Sequence, residues 1–244
     1  MKNRKENHLL QFILTSMILF VFYTNPSYSQ IACPTLNSDG VYSKESDVVI
    51  STYHSSVALT STYFVTWGEA MTSAGGDALS ITAVSPANGY NYTGSPLKVA
   101  LSGNNSAQAF LLTTTGLYTW GTFSEVVDGN IVAGSATSGF ASMTLPSGVL
   151  PSDVKKIKAN TKVFFLLTNS GELYITGHGS GSSPLGYVAA DGTNTANVWH
   201  HVQNSATAGD YLTNVVEITG NRQTVFVRKS DNTIWAWGKQ TPVG

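Results

Sequence analysis

The sequence predicts an all-β protein built from repeated β-sheets, and three observations lead to this prediction. The 244-residue chain contains 28 Ser, 28 Thr and 23 Gly, a composition typical of strands joined by many turns. Its apolar segments after residue 29 are short and rich in β-branched and aromatic residues, without the period of a helix. These segments recur in four copies that share one pattern, which indicates a repeat architecture.

The first element, residues 1–29, has the three-part pattern of a secretory signal peptide. Three basic residues lie within the first five positions, and an apolar run follows over 9–23. Small residues then precede the predicted cleavage site between Ser29 and Gln30. The apolar run is shorter than the roughly 20 residues that a membrane span requires. The sequence therefore predicts an exported protein, either secreted or held at the cell surface.

The predicted mature N-terminal segment, 30–47, contains the single cysteine of the chain, Cys33. A lipoprotein signal would have a Leu-like residue where Gln30 stands, which favours a plain thiol over a lipidated one. A single cysteine also excludes a disulfide within the chain.

Charge argues against a nucleic-acid ligand. Without residues 1–29 the chain has 10 basic and 13 acidic residues, whereas a nucleic-acid binder normally carries a basic stripe. Only 11% of the residues are charged, compared with about 25% in an average soluble domain. The many Ser and Thr side chains are therefore expected to supply the polar surface.

The four copies of the repeat occupy residues 48–244. Each has a short apolar strand, a polar turn, a hydrophobic strand, a tight turn and an alternating strand that ends at a glycine. The tips of the tight turns, Thr115-Gly116, Ser170-Gly171 and Asp231-Asn232, contain residues that accept a positive φ. The copies span 48–68, 97–121, 154–177 and 215–238, and their closing glycines are Gly68, Gly121, Gly177 and Gly238.

These copies resemble the repeats of the regulator of chromosome condensation (RCC) family. In the first copy, His54 is followed by Ala-Leu-Thr at 58–60 and by Trp67-Gly68, an order similar to that of the family. After the third copy, residues 178–186 (HGSGSSPLG) are similar to the Gly-rich stretch of the family. The second and fourth copies lack the histidine, and Thr176 replaces the tryptophan of the third.

The resemblance implies a β-propeller in which each copy forms a blade of four antiparallel strands. A single blade cannot bury both of its faces, so its apolar residues need a neighbouring blade. We therefore expect two aromatic pairs, Tyr118 with Trp120 and Trp235 with Trp237, to pack between blades instead of forming a stacking platform for a ligand.

The number of copies predicts an incomplete propeller. Members of the family have about seven blades, which is more than this chain provides. We expect the sequence to be a fragment of a longer product. If the chain ends at Gly244, self-association is expected to cover the exposed blade.

No catalytic, cofactor-binding or metal-binding residue is predicted. The adjacent pair His200-His201 would point to opposite faces of a strand, which disfavours binding of one ion. Glycoside hydrolysis requires two carboxyl groups about 5–10 Å apart, and the carboxylates here are scattered in sequence. They are Glu69, Asp77, Glu125, Asp128, Glu172, Asp191, Asp210, Glu217 and Asp231.

One polar loop, NGYNYTG, offers candidates for ligand contact. Its aromatic residues Tyr90 and Tyr92 are expected to be exposed, and tyrosine is common at interfaces. Asn91 and Asn104 begin N-glycosylation sequons, which matter only in a glycosylating host.

The sequence thus predicts an exported, non-enzymatic propeller module that binds an unidentified protein or glycan through loops from several blades. No cofactor is implied. Relatives in the family that act as nucleotide-exchange factors work on nuclear or cytosolic partners, a role that the signal peptide disfavours. The alternatives are an exported carbohydrate-active enzyme, a hydrolase or lyase that uses the propeller mouth, and a structural segment of a large surface adhesin.

Overall fold

A computed structural model describes residues 49–59, 63–103, 107–122, 139–160, 163–177, 198–205, 207, 209–220 and 224–238. All of them belong to one compact unit, 47–244. The predicted signal peptide, the segment 30–47 and Cys33 lie outside the described residues. So do Glu125, Asp128, Asp191, Asn104 and the Gly-rich stretch 178–186.

The described chain forms four antiparallel sheets, in which strands adjacent in sequence are adjacent in space. This confirms the predicted all-β class; the only helical turns among the described residues are the short 3-10 turns Pro86–Asn88 and Pro151–Asp153. Sheet 1 contains β1 (Val49–Ser51), β2 (Ser55–Leu59), β3 (Phe64–Gly68) and β4 (Ala78–Ala83). Sheet 2 contains β5 (Pro96–Gly103), β6 (Ala107–Thr113), β7 (Leu117–Gly121) and β8 (Ala141–Met143). Sheet 3 contains β9 (Val154–Ala159), β10 (Val163–Thr168), β11 (Leu173–Gly177) and β12 (His200–His201). Sheet 4 contains β13 (Val215–Gly220), β14 (Thr224–Lys229) and β15 (Ile234–Gly238).

The closing glycines set the same register in every sheet. Each pairs with a residue at or near the start of the preceding strand; the pairs are Gly68 with Ser55, Gly121 with Gln108, Gly177 with Val163 and Gly238 with Thr224. Gly68 has a φ of 107°, and a Cβ there would lie 2.1 Å from the carbonyl oxygen of His54. A side chain at this position is therefore excluded by both backbone conformation and space.

The sheets pack face to face in chain order. We call the side of a sheet that meets the following sheet its forward face, and the other side its backward face. Alternation along β10 shows the arrangement: Phe164 and Leu166 face sheet 2, whereas Phe165 and Leu167 face sheet 4. The rings of Phe110 and Phe164 stack across the interface of sheets 2 and 3, with centroids 4.3 Å apart. Each sheet buries apolar residues against at least one neighbour, as expected for a propeller.

The aromatic pairs on the third strands pack largely as predicted. Trp120 is fully buried and Tyr118 half-buried against the core between sheets 1 and 2. Trp237 packs against the core between sheets 3 and 4, but Trp235 remains 38% exposed. The ammonium of Lys229 lies 5.5 Å from the centroid of the Trp235 ring, a cation–π contact.

The first strands of adjacent sheets also meet. β5 contacts β9, and polar contacts join sheets 3 and 4. The Lys156 ammonium pairs with the Glu217 carboxylate, and both side chains are largely buried. The neighbouring Lys155 ammonium donates a hydrogen bond of 2.8 Å to the carbonyl of Val216. These contacts hold the first strands of the two sheets together.

The forward face of sheet 4 is open. Its Phe226 occupies the position that Phe110 and Phe165 occupy in sheets 2 and 3, as the strand register shows. The ring of Phe226 is 41% exposed, whereas the other two are 0% and 3% exposed. Ile234, on the same face, is 71% exposed.

One turn differs from its prediction. Gly171 and Asn232 adopt the expected positive φ, of 84° and 66°. Gly116 does not, because hydrogen bonds to Thr113 close its turn in another way: the Thr113 N–H donates to the Gly116 carbonyl, and the Gly116 N–H donates to the Thr113 hydroxyl.

Candidate functional site

In each sheet the antiparallel register places the closing glycine beside the first residues of the second strand. The turn between the first and second strands lies beside the closing glycine, since Ser55 pairs with Gly68. We call this the glycine end. At this end, the segment that joins the first two strands is described in full only in sheet 1, as the turn 52–54.

The turn 52–54 is held firmly by hydrogen bonds. The Thr52 N–H donates to the Ser55 carbonyl at 2.9 Å, which closes the turn. The Ser55 hydroxyl then donates to the Glu69 carbonyl at 2.8 Å, and the Glu69 N–H donates back to the His54 carbonyl at 3.1 Å. The turn is thus fixed both internally and against the end of β3.

Three side chains project from this fixed backbone, and we call them the Tyr53 site. Tyr53 is 82% exposed, the largest exposure of any aromatic residue described. Its ring centroid lies 5.5 Å from that of His54. The His54 Nδ1 lies 3.6 Å from Oε2 of Glu69, and both side chains are about half exposed. Such an exposed pair adds little to the free energy of unfolding. Its imidazole and carboxylate are instead accessible to a ligand.

Backbone strain occurs next to the Tyr53 site. Ala70 has a φ of 59°, a conformation that costs a residue with a side chain about 1–2 kcal/mol. The Asp77 carboxylate accepts a hydrogen bond of 3.0 Å from the Ala70 N–H and thereby holds this conformation. Strain that the surroundings maintain is common at functional sites. Here it sets the direction in which the chain leaves Glu69.

The site offers an aromatic face and a carboxylate, and this chemistry is suited to binding. The part of the chain that the structure describes contains no group of three or more His, Cys, Asp or Glu residues that could hold a metal ion. Nor, within those same ranges, is any helix long and apolar enough to cross a membrane.

The loop candidate Tyr90 was predicted to be exposed, and this prediction is wrong. Its ring is fully buried between sheets 1 and 2, edge-on to Trp120 and Phe140. The Tyr90 hydroxyl donates a hydrogen bond of 2.6 Å to the Met71 carbonyl, and burial raises the pKa of Tyr90 to about 12. The polar loop folds back so that this ring can fill the core.

Tyr92 is half-buried, and its contacts are structural. Its hydroxyl donates to the Val84 carbonyl at 3.1 Å, and its ring lies beside Tyr118. The adjacent Thr93 N–H donates to the Tyr118 hydroxyl, and the Thr93 and Thr115 hydroxyls lie 2.8 Å apart. The segment is therefore clasped onto the turn of β6 and β7, and Asn91 remains exposed.

The two histidines of β12 have different neighbours. His200 pairs with Ile175 and His201 with Tyr174, so their side chains lie on opposite faces, as predicted. The His201 imidazole stacks between two tyrosine rings, with centroids 4.6 Å from Tyr174 and 4.1 Å from Tyr211. Burial lowers the pKa of His201, although the nearby Glu172 acts in the opposite direction.

The described carboxylates serve separate local contacts. Glu172 accepts from the Ser170 hydroxyl at 3.0 Å, Asp210 from Ser205 at 2.6 Å and Asp231 from Thr233 at 2.6 Å. Asp77 holds Ala70, and Glu217 pairs with Lys156.

Tyr53 is a site residue that the sequence analysis missed. His54 served there only as a mark of the repeat, and the tyrosine beside it was passed over. The signal was available, because an aromatic residue stands in the turn of the first copy where the second copy has only Asn104-Asn105-Ser106.

No family model and no curated protein sequence matches the chain. Solved structures do match. Human WBSCR16 is 17% identical with a TM-score of 0.57, covering 78% of this chain and 48% of that one. Yeast RCC1 (Prp20) bound to Kap60 is 15% identical with a TM-score of 0.59, covering 78% and 43%. Prp20p from Saccharomyces cerevisiae, in a structure described with its binding to Gsp1p and histones, is 15% identical with a TM-score of 0.59, covering 80% and 47%.

These matches confirm the predicted fold: the chain is an incomplete β-propeller of the RCC1 type, with four sheets as blades. It spans less than half the length of each of these three structures.

Proposed function

We propose that the protein is an exported, non-enzymatic propeller module that binds a protein ligand through the glycine end, with Tyr53 as an anchor. The observation that carries this proposal is the 82% exposure of Tyr53 on a turn fixed by hydrogen bonds. Of the two ligand classes that the sequence predicts, protein and glycan, the geometry favours protein.

An exposed tyrosine on a backbone turn that is held by hydrogen bonds suits protein binding. Tyrosine is enriched among the residues that contribute most to interfaces, because it buries a large surface and loses little rotamer freedom. A turn that is already fixed in the free protein also loses little further entropy when it binds. Among the solved structures with this fold, those of yeast RCC1 concern binding to Kap60, Gsp1p and histones, which supports a protein ligand.

The contacts that these carboxylates make within the chain support a function without catalysis. Asp77, Glu172, Asp210, Asp231 and Glu217 each contact a nearby group of the protein itself. These contacts suit structural roles, whereas glycoside hydrolysis needs two carboxyl groups free to act across one bond.

Export rests on the signal peptide pattern of residues 1–29. The expected product in the culture medium, or released from the cell surface, begins at Gln30. N-terminal sequencing of the native protein measures this directly. A native protein that begins at Met1 in the cytosol would contradict export.

Site-specific photo-crosslinking tests the binding surface. A photoreactive phenylalanine analogue is placed at Tyr53 in the source cells, and at Tyr63 as the matched control. Tyr63 is 47% exposed and lies at the opposite end of sheet 1, beside the pair Leu59–Phe64. We expect one discrete protein adduct from position 53 and none from position 63. Equal labelling, or no adduct at either position, would count against the proposal.

A further inference from the structure

We infer that Tyr53 and Glu69 together bind the guanidinium group of an arginine side chain on the partner protein. This inference rests on the proposed function and names the chemistry that the Tyr53 site recognises. It concerns a contact that the fold alone does not imply.

The aromatic face and the carboxylate lie within reach of one side chain. Tyr53, His54 and Glu69 form a continuous row, with ring centroids 5.5 Å apart and then 3.6 Å from the imidazole to the carboxylate. The hydrogen bonds that the Glu69 backbone makes with the His54 carbonyl and the Ser55 hydroxyl fix the backbone of His54 relative to that of Glu69. A guanidinium group placed over the central imidazole would therefore have the tyrosine ring on one side and the carboxylate on the other.

The Glu69 carboxylate is available to a ligand. It is 48% exposed, and its 3.6 Å separation from His54 is too long for a good hydrogen bond. Two other cations that the structure describes are engaged elsewhere, since Lys156 pairs with Glu217 and Lys229 lies over Trp235. Both carboxylate oxygens of Glu69 can thus accept hydrogen bonds from a partner.

An arginine fits this combination better than the alternatives. Its planar guanidinium stacks on an aromatic face and donates two parallel hydrogen bonds to a carboxylate. A glycan would need several donors and acceptors around the ring, whereas this row presents one carboxylate, one imidazole and one phenol.

A pair of peptides provides the test. The full mature chain is titrated with Gly-Gly-Arg-Gly-Gly and with the same peptide containing citrulline, which has the shape of arginine without the charge. Binding is followed by NMR at the backbone amides of 52–54 and 69. We expect the arginine peptide to shift these signals, and the citrulline peptide to bind about tenfold more weakly because the charge-assisted bonds are lost.

Two variants assign the effect to residues. Glu69→Gln keeps both backbone hydrogen bonds of residue 69 but removes the charge, and should weaken arginine binding about tenfold. Tyr53→Leu should weaken it about threefold by removing the aromatic face. Tyr63→Leu, at the opposite end of sheet 1, is expected to leave binding unchanged.

Equal binding of the two peptides, or arginine binding that survives Glu69→Gln, would overturn the inference. Specific shifts with a neutral oligosaccharide in place of the peptides would also overturn it. The proposed function is tested separately by photo-crosslinking. It predicts a crosslinked partner at position 53 whatever the charge of that partner.

Discussion

Gly68 shows at the scale of one residue why the first repeat ends in glycine. A Cβ on Gly68 would overlap the His54 carbonyl oxygen, 2.1 Å away, and a φ of 107° disfavours any side chain. We expect Gly68→Ala to lower the free energy of unfolding by about 3 kcal/mol. Chemical denaturation with fluorescence detection measures the change.

Gly148 is the matched control for this substitution. It also has a positive φ, of 80°, but nothing lies within 4 Å of a Cβ built there. Gly148→Ala should therefore cost only about 1 kcal/mol, the conformational part alone. Equal losses for the two variants would contradict the close approach at Gly68.

His201 is expected to make the fold sensitive to acid. Burial lowers the pKa of His201 in the folded protein below its ordinary value of 6.5, which applies in the unfolded chain. The unfolded state then binds the proton at a higher pH than the folded state does. Stability is therefore complete above pH 6.5 and decreases as the pH falls through the lowered pKa.

His201→Phe removes this proton and keeps a ring between Tyr174 and Tyr211. We expect the free energy of unfolding of the variant to fall less between pH 7 and pH 5 than that of the wild type, in urea titrations at each pH. An unchanged slope in His201→Phe would show that other groups cause the acid sensitivity.

At the scale of the element, the sequence predicted the second and third strands of each sheet well. The second strands contain continuous apolar runs, as in 163–168, and the third strands alternate and end at a glycine, as in 117–121. The outer strands were implied only by the family resemblance, because β8 has three residues and β12 only two. Such short strands are defined by the neighbour with which they pair and leave little pattern in the sequence.

The misplacement of Tyr90 has a related cause. The loop NGYNYTG is polar around its two tyrosines, and local composition therefore indicated exposure. The burial of Tyr90 depends on a gap between sheets 1 and 2 that residues distant in sequence create, Met71 and Trp120 among them. Tyr53 was passed over for a similar reason, because the turn that carries it is held by contacts with residue 69, which is distant in sequence.

Equivalent strands of the repeat can be compared by substitution. Phe165 of β10 and Phe226 of β14 share one position, but their rings are 3% and 41% exposed. Phe165→Ala should cost about 4 kcal/mol of unfolding free energy because it leaves a cavity between sheets. Phe226→Ala should cost about 1 kcal/mol, since its ring is only partly withdrawn from water.

Thermal and urea unfolding of the two variants measure this difference. Equal losses would mean that sheet 4 is covered in solution, for example by self-association, and that its forward face is not open. Sedimentation of the wild type at the same concentrations separates that cause from an error in the register.

At the scale of the whole molecule, the four described sheets pack face to face in chain order. This arrangement allows side chains that lie far apart in sequence to contribute to one surface. Binding through such a surface requires no catalytic group. The expectation that the chain is part of a longer product stays a prediction, which the genomic reading frame past codon 244 would test. The described glycine end is present in either case.

The central claim is that the glycine end binds a protein. The most direct test is the affinity of this chain for the partner protein that crosslinks at position 53. Its Kd is measured by calorimetry for the wild type, Tyr53→Ala and Tyr63→Ala. We predict that Tyr53→Ala raises the Kd at least about tenfold and that Tyr63→Ala leaves the Kd unchanged. A wild-type Kd in both variants would contradict the assignment of Tyr53 as the anchor.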